Sequence, residues 1–416
     1  MSIFEPADIL LPKNTDMEKW AVIACDQFTS DEDYWKRVSD FVGDCPSTLK
    51  LMLPEVYLET EAEELHLRQI NETMKQYLED DLFELYHDSY IYVERTMNNG
   101  SIRKGIIGIV DLEAYDYRAG TDAPVRATEK TVLGRIPPRM HVREKARIEL
   151  PHIIMLLDDE RKTLIESVAE KKDTFRKLYD FDLMEGGSHI AGWLLTEEAL
   201  EDFNRRFDEY VKESPLKYAD LDKPPVILAV GDGNHSLATA KACYEKMKAE
   251  NPGTDLETHP ARHALVELEN IHDDSQVFEA IHRVVLNTDV EHLLSEMKKK
   301  ICTDDESSGF PIDVYAGDRH TVYFLDREKG ELPVAILEKW LDKYLLNHKG
   351  KIDYIHDDHE VMRLAKKENS IGFLLPKMEK SQLFRGVISG GSLPRKTFSM
   401  GLSKEKRYYL EARKIR

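Results

Sequence analysis

Apolar residues recur along this chain with two different periods, and the switch between them predicts its elements. Near-continuous or alternating apolar runs predict strands over Glu18–Asp26, Ser89–Met97, Ile102–Tyr115, His152–Leu157 and around His189–Leu195. The second and third of these pair as a hairpin through Asn98-Asn-Gly100. Further strands are expected near Arg262–Glu269, Ile281–Leu286, Asp313–Leu325 and Ile371–Leu375. Apolar residues at helical spacing predict helices over Glu61–Leu85, with Thr60 as N-cap, and over Glu197–Lys212. A third helix is expected to start within Thr29-Ser-Asp-Glu-Asp-Tyr-Trp35, a helix-capping stretch rich in first-turn acids. Arg126–Arg147, dense in charge and carrying Ile136-Pro-Pro-Arg139, is expected to begin as an exposed loop. Strands and helices alternate without a clean βαβ rhythm, which predicts a mixed α/β (α+β) fold with a mixed sheet. A soft boundary at Asn251-Pro-Gly-Thr254 divides the chain into regions 1–252 and 253–416.

The most informative switch of period lies in Pro224–Lys241. Val226–Val230 reads as a buried strand; beyond Ser236, Leu237, Ala240, Tyr244 and Met247 follow at helical spacing. Between them stands Gly231-Asp-Gly-Asn-His-Ser236. Glycines allow a sharp turn and a close backbone approach, and a helix start offers unpaired N–H groups with the positive dipole end. Together they suit a phosphate group. Asp232 could hold magnesium, take a hydroxyl proton or orient His235, and His235 could donate to phosphate or shuttle a proton. The competing reading is a structural turn in which Asp232 caps the helix.

Composition narrows the classes. The chain has 416 residues, 41% of them hydrophobic, and a net charge of −20. That length exceeds one ordinary core. No apolar stretch is long enough for a membrane span. The start lacks a basic segment followed by an apolar core, and Cys25, Cys45, Cys243 and Cys302 lie far apart without a C-x-x-C pair. A cytoplasmic protein with reduced thiols is expected, without zinc, haem or flavin. The acidic balance disfavours nucleic acid. Arg395–Arg416 is locally basic, and either binds an anion or docks on the acidic body.

Other candidates are weaker. Arginines on the 126–147 stretch suit phosphate oxygens; Arg126, Glu129, Arg135 and Arg139 are the ligand candidates, against a surface lattice of ion pairs. His282-Arg283 could face a ligand or be a core-edge histidine beside a surface arginine. Asp26, closing the first predicted strand, is a candidate site carboxylate. Gly186-Gly-Ser-His189 reads better as a hairpin turn than as a lip. His356-Asp-Asp-His-Glu360 has metal-ligand types, but its aspartates read as helix-capping residues, so no metal site is assigned.

The turn resembles the phosphate-binding signature of the ParB/sulfiredoxin superfamily, a strand leading into Asp-Gly-x-His-Arg and a helix. Asp232, Gly233 and His235 match, Asn234 fills the variable position, and Ser236 replaces the arginine. The missing guanidinium requires a cation from elsewhere. Ala24-Cys-Asp-Gln-Phe-Thr-Ser30, Val125-Arg-Ala-Thr-Glu-Lys-Thr131, Arg135-Ile-Pro-Pro-Arg139, the turn, Ile281-His-Arg-Val284 and Leu393-Pro-Arg-Lys-Thr-Phe398 make the chain similar to the bacterial and archaeal family filed as domain of unknown function 1015. These resemblances imply a ParB/sulfiredoxin-like unit and a phosphorylated small molecule or nucleotide as ligand, ATP or ADP with Mg2+. They imply a phosphotransferase or phosphatase acting on a serine-like, hydroxyl-bearing metabolite. The alternative is a non-catalytic nucleotide sensor; a homo-oligomer is compatible with either.

Overall fold

Strand residues of opposite parity bury toward two different cores in the larger part of the protein. Ile107, Leu265 and Val93 face one, whereas Ile106, Val266 and Tyr92 face the other. In this computed structural model the chain divides into two compact units, Met1–Gln276 with Leu402–Arg416, and Val277–Gly401. The structure describes residues 2–416 apart from 26, 27, 29, 30, 59, 151, 330, 331, 395 and 402. The boundary read from Asn251–Thr254 falls within the first unit, between a helix and a strand of that unit's sheet.

The first unit is built on a ten-stranded mixed sheet. Its middle runs Ile91–Thr96, Ile102–Asp111, His263–Asn270, Ile154–Leu157, Leu228–Asp232 and Val125–Ala127. His263–Asn270 is parallel to Ile154–Leu157, which is antiparallel to Leu228–Asp232, which is parallel to Val125–Ala127. One face is covered by helices Glu197–Lys217 and Asn234–Glu250, through Phe203, Phe207, Leu237 and Ala240. The other packs Trp20, Tyr34, Ile70 and Met74 together with Tyr408 and Leu410 of the returning C-terminus. The second unit holds a six-stranded sheet, antiparallel throughout, and a small pair, Phe278–Ala280 with Phe398–Met400.

The mixed α/β class and most central strands agree with the sequence pattern, with instructive departures. Where a strand was expected over Glu18–Asp26, Asp16 caps a short helix, Met17–Trp20. Of the following residues, Val22 bridges Tyr409, so the segment pairs with the chain's end rather than entering the sheet. The helix expected over Glu61–Leu85 runs Glu63–Glu79, and Thr60 does not cap it. Asp81 takes a positive φ of 54°, which no helix continues, and Phe83–Ser89 becomes a strand paired with Ala7–Pro12. The stretch from Arg126 does not begin as an exposed loop: Val125–Ala127 is a buried strand, and the two prolines open the helix Ile136–Arg143. Strand Arg176–Asp182 escaped the pattern; it forms the hairpin with His189–Leu194 whose turn is Gly186–Ser188. In the second unit, Asp357 caps helix Asp358–Ala365 and Glu360 pairs with Arg363, the capping role expected of that acidic run.

Candidate functional site

Leu228, Ala229 and Val230 are fully buried, and the strand ends where polar residues take over at Asp232. Gly233 has φ +84°, and a Cβ there would lie 3.0–3.1 Å from Ile153. Only glycine meets both demands. It is also the N-cap of helix Asn234–Glu250, with no side chain capping it. The N–H groups of Ser236 and Leu237 turn back to the Gly233 carbonyl. Helix geometry leaves those of Asn234 and His235 without an intrahelical acceptor.

Parallel pairing of Val125–Ala127 with Leu228–Val230 brings the next segment, 128–132, beside this turn. The buried Thr128 hydroxyl donates to the Val230 carbonyl at 2.6 Å, and Asn234 Nδ2 donates to Thr128 at 3.4 Å. The Val132 N–H donates to His235 Nε2 at 3.3 Å, so a neutral ring carries its proton on Nδ1. Two buried atoms here, Asn234 Oδ1 and Thr131 Oγ1, have no hydrogen-bond partner among the described residues. Buried polar atoms in folded proteins are normally paired, so these two are exceptions beside the turn.

On the other side stand residues that the sequence reading did not select. Lys406 Nζ lies 3.2 Å from Asp232 Oδ2, while Asp232 Oδ1 accepts from the Gly233 N–H at 2.9 Å. Ser236 Oγ lies 3.1 Å from His152 Nε2, and the His152 ring packs against Tyr409. Burial pushes the Asp232 carboxyl upward, but Lys406, His152 and the Gly233 N–H outweigh it and hold the pKa below the usual carboxylate range. Asp232 is thus a carboxylate at neutral pH. Lys406, from the basic C-terminal segment, thus places an ammonium beside the turn. His152 opens a predicted strand, which is the one local signal that could have flagged it.

The remaining candidates are dispersed. Arg126 is buried, and its guanidinium donates to the carbonyls of Ala123 and Pro224 at 2.7 and 2.8 Å. Arg135 is exposed and its carbonyl accepts from Arg139; Glu129 is half-buried. His282 and Arg283 belong to the second unit. There His282 accepts from the Leu375 N–H and pairs with Asp358, and Arg283, wholly buried, pairs with Glu338 at 2.7 Å. Asp26 lies outside the described residues.

At the opposite end of strand Ile154–Leu157 sits the one group with metal-ligand spacing among the described residues, Asp158, Glu160 and His272. The ammonium of Lys217 is 2.8 Å from Asp158 and 3.0 Å from Glu160, and Tyr218 donates to Asp158. Lys217 thus bridges the two carboxylates.

Residues 6–414 match the family described as "Protein of unknown function (DUF1015)", and the chain belongs to that family. No curated protein matches it by sequence. Similar solved structures include a free serine kinase in complex with AMP, at 10% identity and TM-score 0.38, over 74% of this chain and 91% of that one. A conserved hypothetical protein from Pyrococcus furiosus gives 11%, 0.36, 72% and 92%. SbnI with a C-terminal truncation, from Staphylococcus aureus, gives 12%, 0.37, 71% and 83%. Among the described residues no helix is long and apolar enough to cross a membrane.

Proposed function

We propose that the Gly231–Ser236 turn binds the phosphate of a nucleotide or phosphorylated metabolite, and that the protein transfers or removes a phosphoryl group on a small, serine-like hydroxyl compound. The observation that carries this reading is the pairing of Lys406 with Asp232 across an uncapped helix start. It sets a cation, the first N–H groups of a helix and a carboxylate within one turn, the groups phosphoryl transfer uses to steady charge. In this reading the N–H groups of Asn234 and His235, His235 Nδ1–H and Lys406 hold phosphoryl oxygens. The orphaned Asn234 Oδ1 and Thr131 Oγ1 take hydroxyl or amine groups of the ligand. Magnesium, entering with ATP or ADP, would neutralise phosphate charge, and Asp232 is the carboxylate of the turn suited to hold it. With its pKa lowered, Asp232 is a better ligand and orienting group than a base. Ser236 with His152 is the pair suited to relay the hydroxyl proton.

The test is incubation of the purified full chain with radiolabelled ATP or ADP and a panel of hydroxyl amino acids. Label in a small product supports the transferase. Tight binding without turnover would instead mark a nucleotide sensor. If Asp232→Ala and His235→Ala both bind nucleotide as the parent does, the site is misassigned.

A further inference from the structure

Arg95 and Arg103 face each other directly across adjacent strands of the first unit, and both are almost wholly buried, at 2% and 3% exposure. Like charges directly opposite on neighbouring strands repel, and burial removes the water that would screen them. Such a pair persists only where something else holds it. Arg103 finds one carboxylate, Glu269, at 3.0 Å. Arg95 finds none among the described residues. Burial and the neighbouring Arg103 pull its pKa down to about 9, so it stays protonated at neutral pH.

What both guanidiniums reach is backbone. Arg95 Nη2 donates to the carbonyl of Lys404 at 2.6 Å and Arg95 Nη1 to that of Lys406 at 3.2 Å. Arg103 Nη1 donates to the carbonyl between them, that of Glu405, at 2.8 Å. Arg95 also grips the Gly187 carbonyl through Nε and Nη2, at 3.1 and 2.7 Å, and lies over the Tyr408 ring. Three successive carbonyls are therefore turned onto two arginines. A planar guanidinium fork fixes direction as well as distance, which an ammonium on a flexible stem does not. The Lys406 side chain, 13% exposed, projects from this clamped segment to Asp232.

We infer that Arg95 and Arg103 are positioning residues for the turn: by clamping the carbonyls of 404–406 they aim Lys406 at Asp232, and so set the cation that Ser236 does not provide. The placement of Lys406 stands on the geometry alone. Only its consequence for ligand affinity rests on the phosphate reading.

The experiment is reductive methylation of the full chain, followed residue by residue by mass spectrometry, in the parent and in Arg95→Met and Arg95→Lys. With the clamp lost, Lys406 should label several-fold faster while exposed lysines such as Lys36 label at the parent rate. Arg95→Lys, keeping charge but not the fork, should fall between. If Arg95→Met does not fold, Arg95→Lys decides by the same readout. Unchanged Lys406 labelling in a folded variant overturns the inference. In ADP titrations, Lys406→Met and Arg95→Met should each weaken binding, and the double variant should bind no worse than Lys406→Met; additive losses overturn it too. If the parent binds no ADP, the phosphate reading falls, and the labelling still decides the clamp.

Discussion

The two ends of strand Ile154–Leu157 carry the same kinds of side chain to opposite outcomes. At one end, Asp158 meets Lys217, His272 and Tyr218, and its carboxylate is closed in by partners. At the other, Asp232 meets Lys406 with His152 nearby, half-exposed at an uncapped helix start beside two orphaned polar atoms. A carboxylate, a lysine and a histidine do not by themselves make a site. The first cluster is satisfied and works as a structural lock. The second retains unmet hydrogen-bonding capacity, which is what a ligand needs.

Four changes would break or sharpen this contrast. Asp158→Ala should have the largest effect on folding, because it takes the shared acceptor from His272 and Tyr218 and leaves Lys217 to the Glu160 carboxylate. A loss of about 2–3 kcal/mol in urea unfolding is expected; a change below ~1 kcal/mol would put Asp158 in the same class as Asp232. Lys406→Met should leave stability nearly intact but weaken ADP or inorganic phosphate by roughly tenfold or more in calorimetry, about 1.5–3 kcal/mol for hydrogen bonds to a charged group. Parent-like affinity would remove Lys406 from the site.

Gly233→Ala forces a left-handed conformation on a side chain and crowds Ile153, so destabilisation of about 1–2 kcal/mol is expected together with weaker ligand binding. A stable variant with parent affinity would mean that the turn need not keep its shape.

The smallest effect concerns acid. Both aspartates have folded pKa values below the usual range. Burial opposes ionisation in each, and is outweighed by His272, Lys217 and Tyr218 at Asp158 and by Lys406 and His152 at Asp232. Such a group adds stability above the unfolded value, about 3.9, and loses it as pH falls through the folded one. Unfolding free energy should therefore drop below about pH 4. Asp158→Asn should flatten that drop far more than Asp232→Asn, whose carboxylate is partly solvated. Equal flattening would erase the distinction between the two ends.

The glycine turn was legible because its causes are local. A buried apolar strand, glycines where the chain must bend and a helical period beyond them are all written within Val226–Met247. The central strands followed for the same reason. Arg126 shows where local reading fails: a charged side chain suggested a ligand contact, yet strand pairing buried it and backbone carbonyls took its hydrogens. Arg283 went the same way against Glu338 in the second unit.

By itself, then, the sequence determined the mixed α/β class, the family signature and the turn with Asp232 and His235, since these depend on neighbouring residues. Which cation faces the turn was decided only by the tertiary structure. Lys406 follows the whole of the second unit in the chain, and returns because Arg407, Arg413, Trp20 and Leu410 bind the C-terminus to the first unit. Buried ion pairs and shared apolar surface connect residues without regard to their separation in sequence, and no local period records them.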